Sequence, residues 1–210
     1  MSSTFTGGSS FRARVYDRIC SLEEKKGLLG WRRQLVGGLS GEVVEIGAGT
    51  GLNFRHYPAD AVVFASDRDP VMLGRAIGRG DEAGASVHIF VADAQGRIPL
   101  RDDSADQVVS GLMLCSVPKQ GVVLAEVARI LRPGGRFRFM EHVRDRDGSF
   151  RGRFQDALNP VWRRVSGGCN CNRRTVAEVE RAGFEIDSLQ TFKLGPPHVA
   201  PHVLVEAVLR

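Results

Sequence analysis

Three glycines at alternate positions follow an apolar run that ends at Ile46. Gly47, Gly49 and Gly51 carry no side chains at the point where a strand turns into a loop, so the main chain can approach a ligand closely. The spacing is G-x-G-x-G rather than the G-x-G-x-x-G of dinucleotide-binding folds, and no Lys-Ser/Thr pair follows as in a P-loop. We therefore expect a ligand-binding turn of another kind, with Glu45 near the end of the strand before it.

Acidic residues follow the next two apolar runs. Asp67 comes about 20 residues after the first glycine, the offset at which dinucleotide folds place the acid that accepts ribose hydroxyls. Asp93 ends the third run. Taken singly, each acid could equally be a helix cap or a turn former. Their order over successive strands indicates one binding site at the carboxyl ends of a sheet.

The glycine turn together with Glu45 resembles the first motif of class I methyltransferases, which use S-adenosyl-L-methionine and release S-adenosyl-L-homocysteine. The resemblance implies that the loop passes under the methionine part of the cofactor and that Leu112 lies there too. It also implies that Arg68 lies along the adenine face and that Asp93 and Ala94 hold the adenine amino group. The predicted cofactor-binding residues are Glu45, Gly47, Ala48, Gly49, Gly51, Asn53, Asp67, Arg68, Asp93, Ala94 and Leu112.

Strands and helices alternate after residue 40, which predicts a parallel sheet covered on both faces. We expect strands at 43–46, 62–66, 87–91, 107–114, 136–142, 184–192 and 203–209. Helices are expected at 11–39, 70–79, 120–131, 150–165 and 175–182, the last capped by Thr175. The fold class is α/β: a doubly wound, Rossmann-like, seven-stranded sheet, mostly parallel with an antiparallel last strand, in a single domain. Residues 1–39 would form an N-terminal tail and a lid-like helix, and residues 40–210 the methyltransferase domain.

Motifs in the second half of the chain are more specific. The segments Leu114–Val117, Phe139–Val143, Asn159–Trp162, Gly168–Asn170 and Pro201–His202 are similar, in order and approximate spacing, to the alkyl thiol S-methyltransferases. That family includes membrane-bound animal enzymes and soluble bacterial relatives. The chain lacks the hydrophobic N-terminal anchor of the animal enzymes, so the resemblance implies a soluble enzyme. Its acceptor would be the thiol of a small molecule, a metabolite or a natural product.

Histidines at the ends of late strands are the first candidates for acid–base chemistry. His142 ends the fifth strand, and an unperturbed histidine pKa of about 6.5 suits removal of a thiol proton at neutral pH. His202 is a second candidate, and Glu141 could orient the ring of His142 or cap a helix. A structural histidine is the competing interpretation for both rings. Residues expected to contact the substrate or belong to a lid are Tyr16, Cys115, Trp162 and Cys169.

Cysteine spacing argues against a metal site. Cys169 and Cys171 supply only two ligands, and no second Cys/His pair has a suitable spacing along the chain. We therefore predict no metal. Four scattered cysteines also fit a reducing cytoplasm better than a disulfide framework.

Composition limits the choice of partners. The 210-residue chain has a net charge of +5, which arginine-rich proteins reach without binding nucleic acid, and no apolar run is long enough to span a membrane. We expect a small-molecule thiol substrate, no nucleic acid, no membrane and a monomer or homodimer. Two alternatives stay open at this point. One is a small-molecule O- or N-methyltransferase of the quinone or lipid type, and the other is a cofactor-binding protein without turnover.

Overall fold

The computed structural model describes Arg14, Asp17, Arg18, residues 20–22 and residues 27–209. Within these residues the strands are Gly41–Ile46 (β1), Ala61–Asp67 (β2), Ser86–Val91 (β3), Ala105–Gly111 (β4), Leu131–His142 (β5), Phe184–Lys193 (β6) and Pro201–Leu209 (β7). The α-helices are Leu29–Val36 (α1), Pro70–Asp81 (α2), Gln120–Ile130 (α3), Phe150–Val165 (α4) and Thr175–Arg181 (α5), and Phe54–His56 forms a 3₁₀ turn. Part of the predicted first helix, including Tyr16, lies outside the described residues.

The strands form one seven-stranded sheet in the order β3-β2-β1-β4-β5-β7-β6. Strands β1 to β5 pair in parallel, whereas β7 pairs antiparallel with both β5 and β6. The predicted Rossmann-like fold with its antiparallel last strand is confirmed. Because the chain runs from β1 outward to β3 and then returns to β4, the crevice between the carboxyl ends of β1 and β4 is the switch point at which such sheets bind ligands.

Both faces of the sheet are buried, as continuous apolar strands require. Val44 and Phe139 pack on one face beneath α3, while their neighbours Val43 and Met140 pack on the other face with α1 and the 3₁₀ turn. Adjacent strand residues therefore serve opposite cores, in keeping with the period of two along a strand. None of the described helices has the length and apolar character needed to cross a membrane.

Of the helices α2, α4 and α5, the first two begin at a residue whose side chain caps the helix. Asp69 caps α2 by accepting from the amide of Val71, and Ser149 caps α4 by accepting from the amide of Gly152. The predicted Thr175 cap of α5 is wrong. Thr175 lies inside the first turn, and its buried hydroxyl accepts a hydrogen bond from Nε2 of Gln120 at 2.9 Å. A tertiary partner has replaced the local one.

The fourth strand is shorter than predicted. It ends at Gly111, and Leu112 turns the chain with a φ of +57°, a left-handed conformation that is uncommon for a residue with a Cβ. The amide of Leu112 donates to the carbonyl of Met140 at 2.8 Å, which ties the turn to β5. Residues 112–117 consequently form a turn at the carboxyl edge of the sheet rather than the end of a strand.

Candidate active site

The glycine turn leaves β1 with left-handed backbone at all three glycines, whose φ values are +72°, +58° and +77°. The amides of Gly47 and Ala48 both donate to the carbonyl of Ser66, at 2.8 and 2.9 Å. The amide of Gly49 donates to Oδ2 of Asp67 at 2.9 Å. The turn is therefore held against the end of β2 before any ligand binds.

At two of the glycines there is also no room for a side chain. A Cβ at Gly47 would overlap the side chain of Met113, whose Cβ would lie 2.8 Å away, and a Cβ at Gly51 would meet the ring of Phe54 at 2.6 Å. At Gly49 the nearest atom would be 3.9 Å away, in ordinary contact. Packing excludes a side chain at the first and third glycines, whereas only the backbone conformation excludes one at the second.

Glu45 and Asn53 support the glycine turn from behind. Glu45 is fully buried and accepts from Nδ2 of Asn53 and from the hydroxyl of Tyr57, both at 2.8 Å, while Oδ1 of Asn53 accepts from Nη1 of Arg32 at 2.8 Å. Burial raises the pKa of Glu45 to about 7, and the hydrogen bonds from Asn53 and Tyr57 offset part of the rise. The sequence predicts that Glu45 fixes the glycine loop or binds the ammonium end of the cofactor, and that Asn53 binds the cofactor. Here the carboxylate of Glu45 and the amide of Asn53 are hydrogen-bonded to each other within this buried network behind the turn.

A cavity opens in front of the glycine turn, at the carboxyl edge of the sheet. Five of the residues predicted to bind the cofactor line it: Gly47, Asp67, Arg68, Asp93 and Ala94. The sequence analysis missed the others, which are Ser66, Ala92, Gln95, Met113, Ser116, Val117 and Gly167. Only the segment Leu114–Val117 carried a signal for them, because it was part of a motif. Gly167 comes from the turn after α4, far along the chain, so no local pattern could identify it.

Asp67 has the chemistry that a ribose would need. Its Oδ2 accepts from Gly49 and its Oδ1 from the amide of Asp69 at 2.9 Å, and burial raises its pKa. A carboxylate oxygen offers about two acceptor sites, so each oxygen keeps one for a hydroxyl. A cavity with this acid at one side and a bare glycine backbone at the other fits S-adenosylmethionine.

Asp17 joins the N-terminal segment to the glycine turn. Its carboxylate accepts from the hydroxyl of Thr50 at 2.6 Å and from Nε of Arg75 at 2.7 Å, and Arg79 bridges it to the carbonyl of Thr50. Burial acts to raise the pKa of Asp17, but the hydrogen bonds from Arg79 and Thr50 hold it below its usual value. Asp17, which belongs to the segment predicted to be a lid, is thereby bound beside the glycine turn, whereas Tyr16 falls outside the described residues.

Glu141 organises the turn that follows β4. Its fully buried carboxylate accepts from three successive amides, those of Met113, Leu114 and Cys115, at 2.7, 2.5 and 3.1 Å. Burial raises its pKa to about 7, while the charge of His142 and the amide donors act in the opposite direction. The carboxylate of Glu141 therefore accepts hydrogen bonds from the backbone of the turn, and the prediction that it orients the ring of His142 is replaced by this role.

Thiol and imidazole groups meet beside the cavity. Sγ of Cys115, Sγ of Cys169 and a ring nitrogen of His142 all lie within 4.8 Å of one another, and the contact from Cys169 Sγ to His142 Nδ1 is 3.6 Å. The hydrogen bond with Cys115 and the nearby His142 lower the pKa of Cys169, whereas the pKa of Cys115 is raised. The fold therefore brings together three of the residues predicted to contact substrate or take part in catalysis.

His202 lies behind His142. The two rings face each other across β5 and β7 with centroids 4.4 Å apart, and Nδ1 of His202 donates to the carbonyl of Ala200 at 2.9 Å. Burial and the charge of His142 lower the pKa of His202 to about 4. A ring held neutral in this way is a weak base at neutral pH and is better suited to supporting its neighbour.

Two asparagines hold the Cys169 loop in place. Asn170 donates to the carbonyl of Cys115 through its amide nitrogen at 2.9 Å and through Nδ2 at 3.1 Å. Oδ1 of Asn159, in α4, accepts from the amide of Cys171 at 3.0 Å. The Asn159–Trp162 motif thus acts partly by positioning the loop, a role that the sequence analysis did not assign to it.

The ring of Trp162 lies next to Cys169. It meets the ring of His198 edge to face with centroids 4.5 Å apart, and its N–H is one of the groups that lower the pKa of Cys169. Within the described residues, neither Nε1 of Trp162 nor Nε2 of His198 has a hydrogen-bond partner of ordinary geometry, although both atoms are buried. Buried polar atoms seldom stay unpaired, so this side of the cluster has hydrogen-bonding capacity for a ligand.

Comparisons with known proteins agree with this geometry. Residues 44–139 match the family model described as a methyltransferase domain. The chain is 35% identical over 209 residues to thiol S-methyltransferase TMT1B of Rattus norvegicus, covering 95% of this chain and 83% of that protein. The chain belongs to the thiol S-methyltransferase family. It is also 36% identical over 194 residues to the human family member TMT1A, covering 89% of this chain and 79% of the relative.

Solved structures share the fold of this family member at low sequence identity. An S-adenosylmethionine-dependent methyltransferase from Mesorhizobium loti superposes with a TM-score of 0.63 at 19% identity, covering 85% of this chain and 96% of the other. The [4+2]-cyclase SpnF superposes with a TM-score of 0.67 at 18% identity, covering 87% and 79%. Since one of these neighbours is a cyclase, the likeness establishes the fold alone.

Proposed function

We propose that this protein transfers a methyl group from S-adenosyl-L-methionine to the thiol of a small molecule. One observation carries the proposal: the cavity formed by the glycine turn and Asp67 lies beside the cluster of Cys115, His142 and Cys169. The candidate cofactor cavity and a cluster of two thiols and an imidazole are therefore adjacent. Family members that share about 35% identity over most of the chain are thiol S-methyltransferases.

The residues that line the cavity would hold the cofactor. Asp67 would accept the ribose hydroxyls, Arg68 would lie along the adenine, and Asp93 with Ala94 would meet its amino group. The glycine turn would approach the methionine part with bare backbone. When bound, S-adenosylmethionine supplies a methyl group carried on a positively charged sulfonium. A thiolate accepts this methyl group, and both the positive and the negative charge are lost. A closed, water-poor surrounding favours such a reaction.

The residues at the acceptor end would bind and orient the thiol. His142 and Cys169 would contact it, with Trp162 forming an apolar wall. A free thiol has a pKa of roughly 8.5, so the site must favour the thiolate at neutral pH. His202 would keep the ring of His142 in place, and Glu141 would fix the turn that carries Cys115.

Several relatives with other acceptors resemble only about half of the chain, whereas the malonyl-[acyl-carrier protein] O-methyltransferase of Methylococcus capsulatus is 30% identical over 91% of it. A ubiquinone/menaquinone C-methyltransferase of Desulfotalea psychrophila is 37% identical over 114 residues, only 50% of this chain. The thiol S-methyltransferases combine wide coverage with higher identity, 35% over 95% of this chain for the Rattus norvegicus protein, which favours a thiol acceptor.

The test is methylation of a thiol panel by the purified chain, with each thiol paired with its oxygen isostere. We expect S-methyl product and S-adenosylhomocysteine in equal amounts with thiols, and no product with the alcohols. His142→Ala is expected to slow turnover while leaving cofactor affinity nearly unchanged. Cofactor binding without turnover across the panel would favour a cofactor-binding protein, and methylation of the alcohols would favour an O-methyltransferase.

The proposal also covers the compartment in which the enzyme acts, its oligomeric state and the kind of acceptor. We expect it to act in the cytoplasm, as a monomer or homodimer, on a soluble metabolite or natural product. The cysteines of the described residues are all free thiols, which suits a reducing compartment. Of the arginines on α4 and in the loop before it, Arg144 pairs with Asp156 and Arg151 with Asp145, which favours a solvated face over a nucleic-acid surface. Gel filtration and salt-dependent DNA binding would check these points.

A further inference from the structure

Three metal-ligating side chains converge from three separate parts of the chain. Cys115 comes from the turn after β4, His142 from the end of β5, and Cys169 from the loop after α4. The prediction of no metal site depends only on the spacing of possible ligands along the sequence. The fold supplies a third ligand that this spacing could not reveal.

One ligand separation matches that of a zinc site, and the other two are short enough to reach it with small side-chain movements. Zinc bonds to thiolate sulfur at ~2.3 Å and to imidazole nitrogen at ~2.0 Å, so tetrahedral angles place the sulfur and nitrogen about 3.5 Å apart and two sulfurs about 3.8 Å apart. The observed distance from Cys169 Sγ to His142 Nδ1 is 3.6 Å, and the three ligand atoms all lie within 4.8 Å of one another. No large backbone movement is needed for the three atoms to share one ion.

We propose that Cys115, His142 and Cys169 bind a zinc ion whose open fourth position takes the sulfur of the acceptor thiol. The proposal rests on the proposed thiol S-methylation and gives it a means of activating the acceptor. Three protein ligands with a fourth position left open are typical of catalytic zinc, and two thiolates with one imidazole favour a soft or borderline metal.

Neighbouring groups hold each ligand in place, as functional metal sites require. The amide of Cys115 donates to Glu141, and the carbonyl of Cys115 accepts twice from Asn170, the residue that follows Cys169. The ring of His142 packs against that of His202. The loop that carries Cys169 is thus bonded through Asn170 to the backbone of Cys115, so the three ligands lie close together without the ion.

The open position would lie on the side of the cofactor. Ser116, next to Cys115, and Gly167, two residues before Cys169, both line the cofactor cavity. The buried N–H of Trp162 and ring nitrogen of His198, which have no hydrogen-bond partner of ordinary geometry among the described residues, offer polar contacts for an acceptor that enters here.

A zinc ion would bind the acceptor as its thiolate. Zinc lowers the pKa of a bound water to about 7, and a coordinated thiol is deprotonated outright, its proton passing to solvent. No electron is gained or lost, so the step needs neither oxidant nor reductant. The role of His142 changes accordingly: its Nδ1 is a ligand, and the ring is not the base that removes the thiol proton.

The first experiment measures metal in the full chain, purified from zinc-supplemented medium under reducing conditions and then dialysed. We expect about one zinc per chain by elemental analysis. Cobalt titration of the metal-free chain should produce a thiolate-to-metal absorption band, and this band should shift when an acceptor thiol, but not its oxygen isostere, is added. A chain that retains no zinc and gives no cobalt band overturns the proposal.

Single substitutions locate the ion. Cys169→Ser and His142→Asn should each lower zinc content at least about tenfold, as loss of one ligand of three would. Cys171→Ser is the matched control. It is buried, two residues from Cys169, and its sulfur contacts Asn159 at 3.6 Å rather than the cluster. Circular dichroism checks that each variant folds. Because His142 is only half-buried, His142→Asn should disturb core packing less than Cys169→Ser does. Equal zinc in all variants, or equal loss in Cys171→Ser, contradicts the assignment.

Two further outcomes separate this inference from the proposed function. Thiol methylation by a zinc-free chain, insensitive to chelator, would overturn the metal site and leave S-methylation standing. Zinc bound at the cluster with no methylated thiol would do the reverse. A disulfide between Cys115 and Cys169, found by mass spectrometry in chain purified under reducing conditions, would also overturn the metal site.

Discussion

Replacing Gly49 by alanine tests whether the conformation of the glycine turn governs cofactor binding. Gly49 has a φ of +58°, and a Cβ there would meet only the methyl of Met72, at 3.9 Å. Space is therefore available, and the cost is backbone strain of about 1–2 kcal/mol for a left-handed residue with a side chain. The same strain acts on the amide that donates to Asp67 at 2.9 Å.

A matched control separates strain from function. Gly134 has a φ of +76° with nothing within 4 Å of an added Cβ, but it lies near the amino end of β5, at the opposite edge of the sheet. Gly49→Ala and Gly134→Ala should therefore lower the free energy of unfolding by similar amounts, about 1–2 kcal/mol each. Urea denaturation at one pH compares the two variants with the parent.

Of the two substitutions, only Gly49→Ala should weaken the binding of the cofactor. A hydrogen bond to a charged group is worth about 1.5–3 kcal/mol, so weakening the contact with Asp67 should raise the dissociation constant ~10-fold or more. Gly49→Val, with its branched Cβ, should abolish binding. Isothermal titration calorimetry with S-adenosylmethionine and S-adenosylhomocysteine measures the effect. Parent-like affinity in Gly49→Ala, or an equal loss in Gly134→Ala, would refute the reasoning.

Three other substitutions probe the support of the site. Because the folded pKa of Glu45 is about 7 and its ordinary value 4.5, the folded state keeps an extra proton between these pH values, and stability falls as the pH rises through that window. The loss from Glu45 is at most about 3 kcal/mol, and Glu45→Gln should remove this share of the pH dependence in urea unfolding while the share of Glu141 remains; identical profiles for the parent and the variant would contradict it. Glu141→Gln should cost about 1–3 kcal/mol of unfolding free energy, because one amide of the turn would face the new NH₂ group; an unchanged urea midpoint would be inconsistent with its three contacts. Asp17→Asn should raise the dissociation constant for S-adenosylmethionine ~10-fold, because the N-terminal segment would be held less firmly to Thr50; equal affinity by calorimetry would mean that this contact does not serve binding.

Much of the fold follows from patterns that act over short distances. The alternation of apolar runs with helical segments predicts the sheet, and six of the seven carboxyl ends of the strands are predicted to within one residue. The exceptions lie where tertiary contacts replace local ones. β4 ends early because Leu112 turns to pair with Met140, and Thr175 leaves its cap position to bind Gln120.

The site divides in the same way. Asp67, Arg68 and Asp93 line the cavity as expected from strand ends alone, since parallel strands bring their carboxyl ends to one edge. Glu45 and Asn53 belong to the same sequence motif but face the buried network behind the turn. Which side a residue faces depends on where the strand stops and how the following loop packs, and neither is fixed by residue type.

The sequence by itself determined the class of fold, the glycine turn and the family. These depend on residue periodicity and on the unique conformational freedom of glycine, which operate within a few neighbouring residues. Only the tertiary structure decided that Cys115, His142 and Cys169 meet, because each is carried by a different element and the nearest pair is 27 residues apart in the chain. Backbone hydrogen bonds from Asn170 and to Glu141 bring these groups together, and such long-range contacts leave no periodic trace in the sequence.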